Sequence, residues 1–236
     1  MPPLTASDAP SPASKAGNAR PRIRMAAGER EQMILDAAVH FFAVHGFSAG
    51  IRDLARELKV SQGLIYRYFP TKQHLLDRVY EQSFLSRWDP QWEKQLRDRS
   101  RPLAARLKSF YTSYLTAIDD PDWIRLSMYS GLDGNDLTHR YIRSHVESLL
   151  RLIARECQQS GDRGRKPNEA EMEMAWHLHS TAIYYLVRKH IFRTPATGDI
   201  PGLVATVVDG FLSGLPKAGS AALQAPQPKR KRRPAS

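Results

Sequence analysis

Between residues 25 and 215, hydrophobic positions recur every three or four residues. No stretch alternates with period two between turn residues, so the pattern predicts helices rather than strands. Leu103, Leu107, Phe110, Tyr114 and Ala117 form one stripe behind Pro102, a residue suited to a first helical turn. Ile142, Val146, Leu149, Ile153 and Cys157 form a second, and Met172, Trp176, His179, Ile183, Leu186 and His190 a third. Along the third runs another seam, Met174, Leu178, Thr181, Tyr185 and Phe192, and a helix apolar on two faces needs cover on both. The stretch 203–215 is equally short of polar residues. The expected cover is a second copy of the chain, so a homodimer through these carboxy-terminal helices is predicted. Turn-forming clusters at 119–121, 131–134, 160–167 and 194–198 separate the elements. The expectation is an all-α chain of about nine helices.

Charge changes this picture only at the ends. Of the formal net charge of +11, residues 1–28 carry +3 and residues 217–236 carry +6, which leaves the body nearly neutral. Residues 1–24 are rich in Pro, Ala and Ser without a hydrophobic period, and residues 216–236 are similar. Both are expected to be disordered basic tails, too poor in apolar area to offset ordering entropy. The single cysteine, Cys157, excludes an internal disulfide framework and a multi-cysteine metal site. No apolar run has the length of a membrane span, and prolines stand where a signal peptide would need its apolar region. A soluble cytoplasmic protein with no membrane partner is expected.

The stretch 51–76 carries the chemistry. Ile51-Arg-Asp-Leu-Ala-Arg-Glu-Leu58 has the pattern of a short amphipathic helix, and Lys59-Val60-Ser61 that of a tight turn. The Ser61 hydroxyl can accept a free backbone N–H of the next helix, which runs to Phe69 and is stopped by Pro70. Thr71 can cap the helix after it. Two short helices joined by so short a turn form a helix-turn-helix, whose second helix can enter the major groove of DNA. At 3.6 residues per turn Ile65 and Phe69 share the inner face, with Gly63 and Arg67 opposite. A glycine there lets backbone approach DNA, and Arg67 carries the fork that suits phosphate or a guanine edge. Tyr66 and Tyr68 offer hydroxyls to phosphates, although Tyr66 also suits a packing role. Lys72 sits at a helix start, where free N–H groups favour an anion.

Val60-Ser-Gln-Gly-Leu-Ile-Tyr-Arg-Tyr-Phe-Pro-Thr-Lys72 resembles the V-S-x-G-x-L/I-Y-x-x-F-x-x-K core of the TetR family of one-component regulators. The segment 34–45 with Gly46-Phe47 is similar to that family's first helix and its G-F/Y ending. The close match covers about residues 30–80. The resemblance implies a homodimer, with a DNA-binding domain at 25–88 and a helical ligand-binding and dimerisation domain at 89–215. It implies DNA contacts at Arg52, Ser61, Gln62, Gly63, Leu64, Tyr66, Arg67, Tyr68 and Lys72. It further implies a small-molecule effector that releases the protein from a palindromic operator in double-stranded DNA. One departure stands out. Where the family usually has a hydroxyl residue that caps the second helix and meets phosphate, Ser48-Ala-Gly50 runs one residue short with no threonine. That leaves Ser48 or Gly50 as the cap, with no phosphate contact expected there.

The rest of the chain offers weaker signals. Phe110, Tyr114, Trp123, Tyr129, Trp176 and His179 are candidates for lining an effector pocket, although a plain core suits each of them better. His177 and His179 lie on different helix faces and cannot jointly grip a metal, so no metal and no cofactor are expected. Arg20, Arg22 and Arg24 suit either a minor-groove arm or a solubilising tail. The run 229–233 resembles a nuclear-localisation signal, but extra nonspecific DNA affinity is the expected role. The same motif would serve an activator or a regulator without a ligand. An α-helical enzyme has only scattered His and acid residues for support, and no enzyme is expected.

Overall fold

The computed structural model describes residues 26–158 and 165–215, and every regular element among them is helical. The terminal tails, with Arg20, Arg22, Arg24 and the run 229–233, lie outside the described residues. The amino-terminal part consists of α1 (Ala27–His45), α2 (Ile51–Glu57), α3 (Gln62–Tyr68) and α4 (Lys72–Ser83). After a 3₁₀ turn at Leu85–Arg87 come α5 (Gln91–Arg97), α6 (Leu103–Ile118) and α7 (Pro121–Leu132). Then α8 (Leu137–Tyr141) continues through a π-helical turn, Ile142–Val146, into α9 (Glu147–Cys157). The chain closes with α10 (Glu169–Val187), a second π turn at Arg188–Phe192, and α11 (Ile200–Ser213).

Local signals set most of these boundaries. The Asp120 carboxylate accepts from the Trp123 amide at 2.8 Å, with Pro121 in the first turn of α7. Asn168 and Glu171 exchange side-chain and backbone hydrogen bonds in a capping box that starts α10. Asp199 caps α11 through the Gly202 amide at 2.9 Å. Each orphan N–H so paired is worth on the order of 1 kcal/mol to its helix.

The core is continuous from end to end. Ile34, Phe41 and Phe42 of α1, Leu54 of α2, Ile65 of α3 and Val79 of α4 are buried together. At the foot of α4, Phe84 meets Trp123 at 5.3 Å and Tyr141 at 5.5 Å between ring centroids, which joins the amino-terminal part to α7 and α8. Beyond it, α6 is the central rod, packed against α5, α10 and α11, with Leu107, Phe110, Tyr111, Tyr114 and Ile118 buried. The Arg106–Glu156 ion pair, at 2.8 Å, is buried, and Arg99 shares the same carboxylate. Burial raises the Glu156 pKa, but hydrogen bonds from Arg99 and Arg106 outweigh it and hold the carboxyl below its usual range. The described helices include none long and apolar enough to cross a membrane.

Candidate nucleic-acid interface

The helix pair forms as the sequence predicts. Leu58 closes α2, and Lys59 takes a left-handed conformation with φ 54°, which turns the chain sharply towards α3. The Ser61 oxygen accepts from the Leu64 amide at 3.2 Å, and the Thr71 oxygen accepts from the His74 amide at 3.0 Å. Ile65 and Phe69 are fully buried, and that burial fixes the rotation of α3. In consequence Gln62, Gly63, Tyr66 and Arg67 face solvent on the opposite side, with Leu64 and Tyr68 half-buried at the flanks. A Cβ placed on Gly63 would meet no atom within 4 Å, so no packing within the chain requires a glycine there.

Each exposed group keeps hydrogen-bonding capacity. Ser61 uses an oxygen lone pair for its cap and retains its O–H as a donor. Gln62 donates to the Tyr66 hydroxyl at 3.5 Å, leaving the phenolic O–H to donate outward. Arg52, at the start of α2, is exposed on the same helix pair. Lys72 is different. Its ammonium donates to the carbonyls of Phe47 at 2.5 Å and Ala49 at 2.8 Å, so two of its three protons hold the α1–α2 loop and one remains for an anion. That role was invisible in the sequence, where Lys72 marks only the start of a helix. The loop lacks its own cap: Gly50 stands at the start of α2 with no side-chain acceptor.

The six candidate pocket residues do not form one group. Phe110 stacks on Tyr114 at 5.5 Å, Tyr114 lies 5.6 Å from His179, and His179 meets Trp176 edge-on at 6.0 Å. Trp123 belongs instead to the cluster of Phe84 and Tyr141, and Tyr129 lies at the α1–α7 contact, where its hydroxyl donates to the Val44 carbonyl at 3.2 Å. His179 is buried without a partner for Nδ1, and burial pushes its pKa down to about 4, so the ring is neutral. Burial raises the phenols of Tyr111 and Tyr114 and pushes the Cys157 thiol up to about 12. Between α6, α10 and α11 runs a closed apolar seam lined by Tyr111, Leu115, Ala182 and Val204, among others. Among the described residues no group of His, Cys, Asp and Glu could hold a metal ion.

Residues 34–79, the whole helix pair with most of α1 and α4, match the family of bacterial regulatory proteins of the tetR type. That segment is thus of the tetR type. Among curated relatives, the HTH-type transcriptional regulator YuxN of Bacillus subtilis (strain 168) is 23% identical over 143 residues, 55% of this chain and 48% of that protein. The HTH-type transcriptional regulator LuxR of Vibrio harveyi is 36% identical over 61 residues, 25% of this chain and 30% of its own. The matched stretches thus span about half or less of the length of these curated relatives. A TetR-like transcriptional regulator from Rhodococcus sp. RHA1, solved by crystallography, shares the fold with a TM-score of 0.61 at 18% identity, covering 81% of this chain and 100% of that one. The family match at residues 34–79 includes the exposed face of α3.

Proposed function

We propose that this protein is a homodimeric, ligand-responsive transcriptional regulator that represses from a palindromic DNA operator and is released by a small molecule. The observation that carries the reading is the rotation of α3. Burial of Ile65 and Phe69 turns Gly63 and Arg67 outward, with Gln62 and Tyr66 beside them and a glycine where backbone must approach. Arg67 reads a base edge, Gly63 and Leu64 sit against the groove floor, and Arg52, Ser61, Gln62, Tyr66, Tyr68 and Lys72 hold phosphates. Two such helices related by a two-fold axis enter successive major grooves about one helical turn apart or more, which makes the operator a pseudo-palindrome.

The effector acts in the carboxy-terminal helices, near Phe110, Tyr114, Trp176 and His179. The apolar seam beside them has no room even for a water molecule, whereas drug-sized ligands usually occupy roughly 300–1,000 Å³, so an effector lodged there parts α10 or α11 from α6. Release requires only that the effector bind the separated conformation better than the DNA-bound one. Selection of duplexes from a random pool by the full chain tests the reading. Enrichment of a two-fold symmetric sequence supports it; a pool unchanged after several rounds refutes it.

A further inference from the structure

Two side chains of α7 and that of Asp133, the residue that closes it, are spaced four residues apart on one face and reach across to the end of α1 and the loop that follows it. Arg125 Nε donates to the Ala43 carbonyl at 2.7 Å, and the Tyr129 hydroxyl donates to the Val44 carbonyl at 3.2 Å. Both carbonyls belong to the last turn of α1, where no partner exists within the helix. Next, Asp133 Oδ2 accepts from the Phe47 amide at 2.6 Å and the Ser48 amide at 3.1 Å. Gly46 lies under this carboxylate at φ 77°, and a Cβ there would meet Asp133 Oδ2 at 2.7 Å and the Tyr129 ring at 3.1 Å. The same loop is held from the other side by Lys72, through the carbonyls of Phe47 and Ala49.

The loop thus has its N–H groups fastened by α7 and its carbonyls fastened by α4. It also opens α2, which has no side-chain cap of its own. Both neighbours of the recognition helix, α2 before it and α4 after it, are therefore tied to one point. We infer that Asp133, with Arg125 and Tyr129, is a latch through which α7 sets the position of the DNA-reading helix pair. Asp133 is a positioning residue: it touches no DNA and acts through the loop. The inference rests on the DNA-binding reading above and names the contact by which a shift of α7 reaches α3.

Full-length chains carrying Asp133→Ala, Asp133→Asn and Tyr129→Phe test it on the selected duplex, by binding titrations at several salt concentrations and by amide hydrogen exchange without DNA. Asp133→Ala should weaken binding about tenfold. It should leave the salt slope unchanged, since no phosphate contact is lost, and should speed exchange at Phe47, Ser48 and the first turn of α2. Asp133→Asn keeps an acceptor oxygen and should recover most of the affinity. Tyr129→Phe, a milder change at the α1 end, should weaken binding a few-fold. Wild-type affinity in Asp133→Ala, or an altered salt slope, removes the latch alone. A wild-type chain that binds no duplex removes the functional reading and the latch with it.

Discussion

Ile65 and Arg67 stand two residues apart in α3 and face opposite ways, one fully buried and the other in water. That contrast separates stability from recognition at the level of single side chains. Arg67→Ala should leave thermal unfolding unchanged and cost about 1–3 kcal/mol in duplex binding, with preference relaxed at one base position. Equal weakening towards every sequence, in the same titration, would make Arg67 a phosphate clamp instead. His179 gives a second test at this scale. Burial among Tyr111, Tyr114 and Trp176 holds its pKa near 4, below the ordinary 6.5, so the unfolded chain binds the extra proton between those values. Stability should therefore be complete above pH 7 and fall as pH drops from 6.5 towards 4, by up to about 3 kcal/mol from this group. Burial lowers the pKa of His145 as well, in the same direction. Asp119, Glu156 and Glu171 are held low by their cationic partners and add their losses only at more acid pH. Denaturant titrations at pH 7.5 and pH 5 on the wild type and His179→Gln measure this; an equal pH effect in both chains would show that His179 is not its source.

At the scale of elements, what was legible in the sequence is what is encoded locally. Ser61, Thr71 and Pro70 punctuate α3 within a dozen residues, and the period of Ile65 and Phe69 fixes its rotation, so the helix pair and its outward face follow from the chain itself. The stripe after Pro102 became α6, and that after Ile142 became the rod through the π turn into α9. The short α5 carries no stripe, because only Trp92 and Leu96 are buried. The α7 latch escaped for a different reason: Asp133 meets Phe47 across 86 positions, and beside Gly131 and Gly134 it has only the look of a turn residue. Lys72 was matched to a DNA contact from its place in the motif, while its side chain mostly serves the α1–α2 loop. Likewise, aromatic composition gathered Trp123 and Tyr129 with Phe110 and Tyr114, but helix packing sends them to separate clusters. Gly63 permits a test of α3 as an element. Because a Cβ there meets nothing, Gly63→Ala should raise helix stability by about 0.5–1 kcal/mol while weakening DNA binding. Undiminished binding by this variant would show that the backbone does not approach the duplex at this point.

Over the whole molecule, the apolar positions left in water bear on assembly. Tyr184 of α10 and Phe192 of the π turn after it are more than half exposed and lie edge to face at 6.3 Å. On α11, Leu203 and Val207 are only partly covered. The second seam of α10, expected to need a partner, is covered within the chain at Leu178 and Tyr185, which leaves Tyr184 and Phe192 as the exposed apolar pair. With the proposed dimer on this face, Tyr184→Glu with Phe192→Glu should shift the protein from dimer to monomer in sedimentation experiments. An unchanged dimer would place the interface elsewhere. Loss of the dimer should also loosen operator binding, because two half-sites no longer act as one. The nearly neutral body leaves duplex attraction to the recognition face and the basic ends. The claim on which all of this depends is that α3 presents its open face to DNA. It is tested most directly by titrating the selected duplex with the full chain and with Arg67→Ala across a series of salt concentrations. The account predicts tight wild-type binding that falls steeply as salt rises, and weaker binding by the variant. Identical curves for the two chains, or no binding at low salt, would contradict it.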